Sequence, residues 1–136
     1  MLIVAVILYL IIATGLVGLA AKYQFGPVPA DYHAKILVLG GAEIGDNQML
    51  VFGAVNKVFA ALFLGLGLAL VFLALGGVWA DLMLAKLAIL VVALAAGVMP
   101  TLAAAHLEKV SGVRTPWRAG AALTVLAVIA SLLSVL

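Results

Sequence analysis

The chain contains no cysteine, which excludes disulfides, thiolate metal sites and cysteine nucleophiles. Charge is nearly as scarce: Asp, Glu, Lys and Arg make up 9% of the 136 residues, where soluble domains carry about 25%. So little polar surface cannot cover a water-soluble fold. Hydrophobic residues reach 68% and mean hydropathy is +1.42, so lipid must solvate most of the outside. A formal charge of +2 leaves no basic stripe to follow a phosphate backbone, which excludes nucleic acid as a partner.

Four apolar runs are long enough to cross a bilayer, which takes about 20 residues per helix. They cover residues 2–21, 49–75, 82–105 and 117–136, and the expected architecture is one all-α transmembrane domain over residues 1–136, a left-handed four-helix bundle. The first run lacks a basic leader region and is read as a retained span, not a secretory signal. Between spans one and two, residues 22–48 form the longest polar stretch. Pro27 and Pro29 disfavour helix just before them, residues 30–39 suit a short helix on the membrane surface, and Asp46 suits an N-cap. Gly76 to Asp81 makes a tight second connection, Pro100 should kink the third span, and residues 106–116 read as a polar loop. Lys22, Lys35, Lys57, Lys109, Arg114 and Arg118 belong to the first and third connections and their flanks, against Lys86 alone near the second. Cytoplasmic loops are enriched in Lys and Arg, so both termini are expected outside the cytoplasm.

Helix association in lipid relies on small residues and interhelical hydrogen bonds. Gly53, Ala60, Gly67 and Ala74 recur every seven residues in the second span, and Gly120, Thr124, Ala127, Ser131 and Ser134 alternate spacings of four and three in the fourth. Ala93, Gly97, Pro100 and Ala104 give a similar stripe in the third, and Thr14, Gly18 and Ala21 a shorter one in the first. Lys57 falls on the second-span seam by spacing; it either snorkels to the interface or faces inward to meet an anion. Asn56 beside it points about 100° away toward Phe52, Phe59 and Phe63, where an amide serves to bridge helices. Lys86 can snorkel or pair with Asp81, and no role is assigned to it.

Catalytic and metal constellations are incomplete. His33 and His106 could in principle ligate a haem iron, but neither sits mid-membrane, and zinc would need further ligands such as Glu43 or Glu108. No cofactor and no metal are expected. Ser131 and Ser134 fall at the opposite end from both histidines, which argues against serine hydrolase chemistry. All five carboxylates sit in loops or at span ends, so the intramembrane acid that proton-coupled export needs is missing.

From Gly45 onward, about two thirds of the chain resembles the bacterial branch of the family of membrane-associated proteins in eicosanoid and glutathione metabolism. The matching residues are Gly45-Asp46, Ala54-Val55-Asn56, Ala105-His106 and Arg118-Ala119-Gly120. The resemblance implies a four-helix subunit in a bacterial cytoplasmic membrane, commonly trimeric, with both cytoplasmic connections shaping a glutathione site. Where that family carries an arginine before and a glutamate after its asparagine, this chain has Phe52 and Phe59, so the charges that hold glutathione are missing.

The expected function is therefore a non-catalytic membrane protein acting through helix packing, as a homo-oligomer or as an accessory subunit of a larger membrane complex. One alternative is a degenerate glutathione- or lipid-handling enzyme, with Asn56, His106, Arg114 and Arg118 the residues to test. Another is a small transporter or lipid- or anion-binding protein that uses Lys57.

Overall fold

A computed structural model describes residues 1–136 and contains helices and no strands. α1 is Leu2–Phe25, α2 is Asp31–Leu39, α3 is Asp46–Phe72 with a π-helical continuation over Leu73–Val78, α4 is Met83–Ser111 and α5 is Trp117–Val135. All but α2 are long and apolar enough to cross a membrane. The molecule is an all-α membrane four-helix bundle whose outer surface calls for lipid.

The helix ends explain themselves locally. Gly45, not Asp46, caps α3: its backbone N–H donates to Gln48 Oε1 at 3.0 Å, and Asp46 occupies the first turn, where a carboxylate faces the positive end of the helix dipole. α3 runs past the expected end at residue 75, because the chain winds through Gly76 and Gly77 as a wide turn in which Trp79 N–H reaches the Ala74 carbonyl. The reversal comes at Asp81, in the left-handed region at φ 60°, which short polar side chains tolerate.

α4 also outruns expectation. The helix continues through Pro100 and takes in His106, Glu108 and Lys109, so half of the predicted polar loop is helical. Pro100 is exposed, where the carbonyl left without a partner one turn earlier costs least. Gly112, at φ 69°, ends the helix by returning its N–H to the Glu108 carbonyl.

α1 packs on α3 along one side and on α5 along the other, and α4 packs on α5. α3 and α4 flank this row and meet chiefly where the π-helical turn reaches α4. The core lies at that end: Ala5, Val6, Tyr9 and Ile12 of α1 meet Ala74 and Val78, Ala85 and Ile89 of α4, and Ala127 and Ala130 of α5. Five of these ten residues are alanines, so backbones approach closely where lipid gives helices little other reason to associate. Gly77 extends the same logic, since a Cβ there would overlap the Ala85 methyl.

Of the anticipated seams, the second and fourth are used, and the third in part, through Ala93, Gly97 and Ala104 but not the exposed Pro100. Ala60, Gly67, Ala74, Ala127, Ser131 and Ser134 are buried, while Gly53, Gly120 and Thr124 are half-buried. Gly67 sits under the Ala13 carbonyl and Val17 of α1. Between α4 and α5 the contacts are reciprocal: Gly97 accepts Thr124, and Gly120 accepts Thr101. The first-span stripe is corrected. Thr14, Gly18 and Ala21 face outward, and α1 packs instead through Ala5, Tyr9, Ile12, Ala13 and Ala20. Tyr9 sets that face, because its ring fills the core and its hydroxyl needs a partner that only α5 supplies.

Candidate functional site

Two polar assemblies occupy opposite ends of the bundle. The first lies where α1 ends, α2 crosses and α3 begins. Tyr23 at the end of α1 packs its ring 5.6 Å from Phe59 and 5.7 Å from Phe63, centroid to centroid. α2 adds Tyr32, whose hydroxyl lies 3.3 Å from that of Tyr23, and His33, whose ring is 5.9 Å from Phe52. The aromatics of α3 at spacings of seven and four thus form a floor on which α2 rests.

Asn56 is the polar centre of this end. It is 3% exposed, and its Nδ2 donates to the Pro27 carbonyl at 3.4 Å, tying the α1–α2 connection to α3. Gly53, one turn earlier, leaves room for Val28. A cleft of about 40 Å³ remains, lined by Lys22, Tyr23, Asp31, Tyr32 and Asn56 and closed by Pro27 and Ala30. Burial, together with the Tyr23 hydroxyl, pushes the Tyr32 phenol well above its ordinary range, so it stays a neutral donor. Burial also lowers His33, whose Nδ1 is enclosed without a hydrogen-bond partner.

Spacing puts Lys57 on the seam of α3, but the structure puts Asn56 there, bridging to the chain after α1 as an amide on the Phe52, Phe59 and Phe63 face is expected to do. Asn56 lies in the packed seam with Ala60 and Gly67, whereas Lys57 is exposed on the outside of α3. Both residues were within reach of a heptad counted from Gly53. The rotation that packs Phe59 and Phe63 against Tyr23 also turns Asn56 toward the chain after α1, where it meets the Pro27 carbonyl.

Of the other candidates, His106 and Arg114 are exposed, at the end of α4 and in the following connection. Arg118 takes part in an organised turn. Its guanidinium donates to both carboxylate oxygens of Glu108, at 2.9 and 3.2 Å, and lies 4.7 Å over the Trp117 ring. The same carboxylate accepts the Thr115 N–H at 2.8 Å, and the Thr115 hydroxyl donates to the Ala104 carbonyl. Glu108 therefore fixes the α4–α5 turn, with Arg118 as its counter-ion.

Of the second assembly, only the pairing of Lys86 with Asp81 was among the sequence expectations, as an alternative to snorkelling. Lys86 is 6% exposed, and its Nζ donates to Asp81 Oδ1 and to the Ser134 carbonyl, both at 2.5 Å. A cation on the last carbonyls of α5 also meets the negative end of that helix dipole. Deeper in, the Ser131 hydroxyl donates to the Ala127 carbonyl at 2.8 Å, so its oxygen is left to accept the Tyr9 hydroxyl at 3.0 Å. The Lys-after-Asp spacing of five residues hinted at one of these bonds. Nothing local announced the pairing of Tyr9 with Ser131, which are 122 positions apart.

No family model, curated protein or solved structure matches this chain.

Proposed function

We propose that this chain is a non-catalytic membrane protein that works by helix packing, as a homo-oligomer or as an accessory subunit of a larger membrane complex. The reading is carried by small residues that the bundle leaves uncovered. On α3, Ala54, Ala61, Gly65 and Ala69 make a second small-residue face, exposed and distinct from the Ala60–Gly67–Ala74 seam. On α1, Thr14, Gly18 and Ala21 make another. A Cβ added at Gly18 or Gly65 would meet nothing within 4 Å. Lipid alone favours no such choice, and the surrounding exposed positions are largely Leu, Val and Ile; small faces suit a neighbouring helix.

The test is native mass spectrometry of the protein released directly from membranes. An assembly built on multiples of the 13.9 kDa chain, or a constant second chain, is the expected result. Gly65→Leu and Gly18→Leu should disperse it while each subunit stays folded. A strict monomer copurifying with nothing would overturn the proposal. The cation distribution supports a topology with both termini outside the cytoplasm, which we read as that of a bacterial inner-membrane protein; a C-terminal reporter active only in the cytoplasm would refute that topology.

A second reading, a degenerate glutathione- or lipid-handling relative of the family resembled above, draws on the buried Asn56 at its cleft. Phe52 and Phe59, which stand in place of that family's charges, are engaged in the aromatic floor. Glutathione at millimolar concentration should accordingly leave the melting temperature unchanged, and a clear rise would favour the second reading over the first.

A further inference from the structure

The cleft at Asn56 has features that helix packing does not use. Pro27 offers only a carbonyl, so the hydrogen bond at 3.4 Å fixes the Asn56 amide with its nitrogen toward Pro27 and its oxygen away from it. Asn56 Oδ1 accepts no bond from the chain, and it is not sealed off, since His33 Nδ1 is the one enclosed side-chain atom without a partner. Asn56 is 3% exposed, lines the cleft, and carries an acceptor that no group of the chain occupies.

The charges around the cleft are also unspent. Lys22 and Asp31 both line it, yet the bundle's ion pairs are Lys86–Asp81 and Arg118–Glu108. Opposite charges beside one small cavity, unpaired with each other, match a zwitterion better than a simple ion. An anion would meet Asp31 and the Asn56 oxygen, and a metal cation would meet the Lys22 ammonium. The cavity of about 40 Å³ suits one ammonium group, given that a water takes about 30 Å³ of liquid. The cleft sits at the end of the α1 span, where a helix of about 20 apolar residues leaves the hydrocarbon, beside the apolar wall of Tyr23, Phe59 and Phe63.

We propose that this cleft binds the headgroup of a phosphatidylethanolamine-class lipid, its primary ammonium donating to Asn56 Oδ1 and Asp31 and its phosphate lying against Lys22. The site is independent of whether the chain assembles with others. Phosphatidylcholine is discriminated against on two grounds: its trimethylammonium has no N–H to donate and is too bulky for the cavity.

The experiment incorporates the full chain into nanodiscs holding equal amounts of phosphatidylethanolamine and phosphatidylcholine with identical acyl chains, and counts lipids retained in native mass spectrometry. The wild type should keep one phosphatidylethanolamine per chain in preference by about tenfold, the factor that one charge-assisted hydrogen bond supplies. Asp31→Asn, a change at an exposed position in the first turn of α2, should bring the preference down toward parity, and so should Asn56→Leu. If Asn56→Leu fails to fold, Asp31→Asn decides alone. Equal retention of the two lipids by the wild type would overturn the site, as would an undiminished preference in Asp31→Asn. A soluble phosphoethanolamine that protects the protein in phosphatidylcholine-only nanodiscs as well as the lipid does would overturn the assignment to a membrane lipid.

Discussion

The two ends of this bundle solve the same problem with different side chains. At the end where α3 turns into α4, half the core residues are alanine, backbones approach closely, and a buried lysine and a buried tyrosine each find partners on α5. At the other end the helices are separated by rings, with Tyr23, Tyr32, His33, Phe52, Phe59 and Phe63 between α1, α2 and α3. Lipid tails are as apolar as leucine, so burying apolar area stabilises helix contacts little, and close dispersion contact and hydrogen bonds must do more. Alanine brings the backbones together within the core, and the space at the alanine end, about 460 Å³, lies at its mouth among Met1, Leu2, Asp81, Met83, Lys86 and Ser134. The rings leave a smaller cleft of about 40 Å³, lined by the buried Asn56.

That contrast can be broken by mutation, most strongly at the alanine end. Gly77→Val would drive a side chain into Ala85 and should cost about 1–3 kcal/mol, read as a fall in melting temperature in mild detergent. An unchanged melting temperature would show that α4 can move away from the π-helical turn. Lys86→Met keeps the stem and removes the charge; it should cost about 2 kcal/mol, chiefly from the Ser134 carbonyl, because Asp81 is 75% exposed and water can resolvate it. Tyr9→Phe keeps the ring and deletes one hydrogen bond, which should cost about 0.6 kcal/mol by the average for interhelical bonds in membranes.

The smallest effect belongs to the aromatic end and depends on pH. His33 is held below its ordinary value of 6.5 by burial, so the unfolded chain binds the proton more readily than the folded one. Its contribution to stability is therefore complete above about pH 6.5 and declines as pH falls toward the lowered folded value. His33→Gln should flatten this decline in thermal scans between pH 7 and pH 5. A decline of equal slope in the variant would assign the acid sensitivity to another group.

The fold class was legible from the apolar runs, and the four spans stand close to where those runs lie. Their ends were less so. Gly76-Gly77 reads as a breaker, yet these residues are where α3 stays wound and α4 comes closest, because absence of a side chain serves a close crossing as well as a turn. Residues 106–111 read as loop by polarity, but a helix leaving the hydrocarbon can carry polar residues for another turn without penalty. The seam residues of α3 and α5 were visible as repeats, whereas the Thr14–Gly18–Ala21 repeat has the same form and faces outward. A small-residue stripe shows where a helix can be approached closely, and its partner must come from elsewhere.

The sequence by itself determined the solvent, the number of spans and the scarcity of charged side chains, since these follow from composition and from runs whose length is set by the thickness of a bilayer. Tertiary structure alone decided which of two adjacent residues, Asn56 or Lys57, is buried, and which hydroxyl satisfies Tyr9. Those outcomes depend on the rotation of each helix about its own axis. A rotation of about 100° separates neighbouring positions, and when nearly every face is apolar, only the fit of rings and small residues against the neighbouring helices selects one rotation over the next.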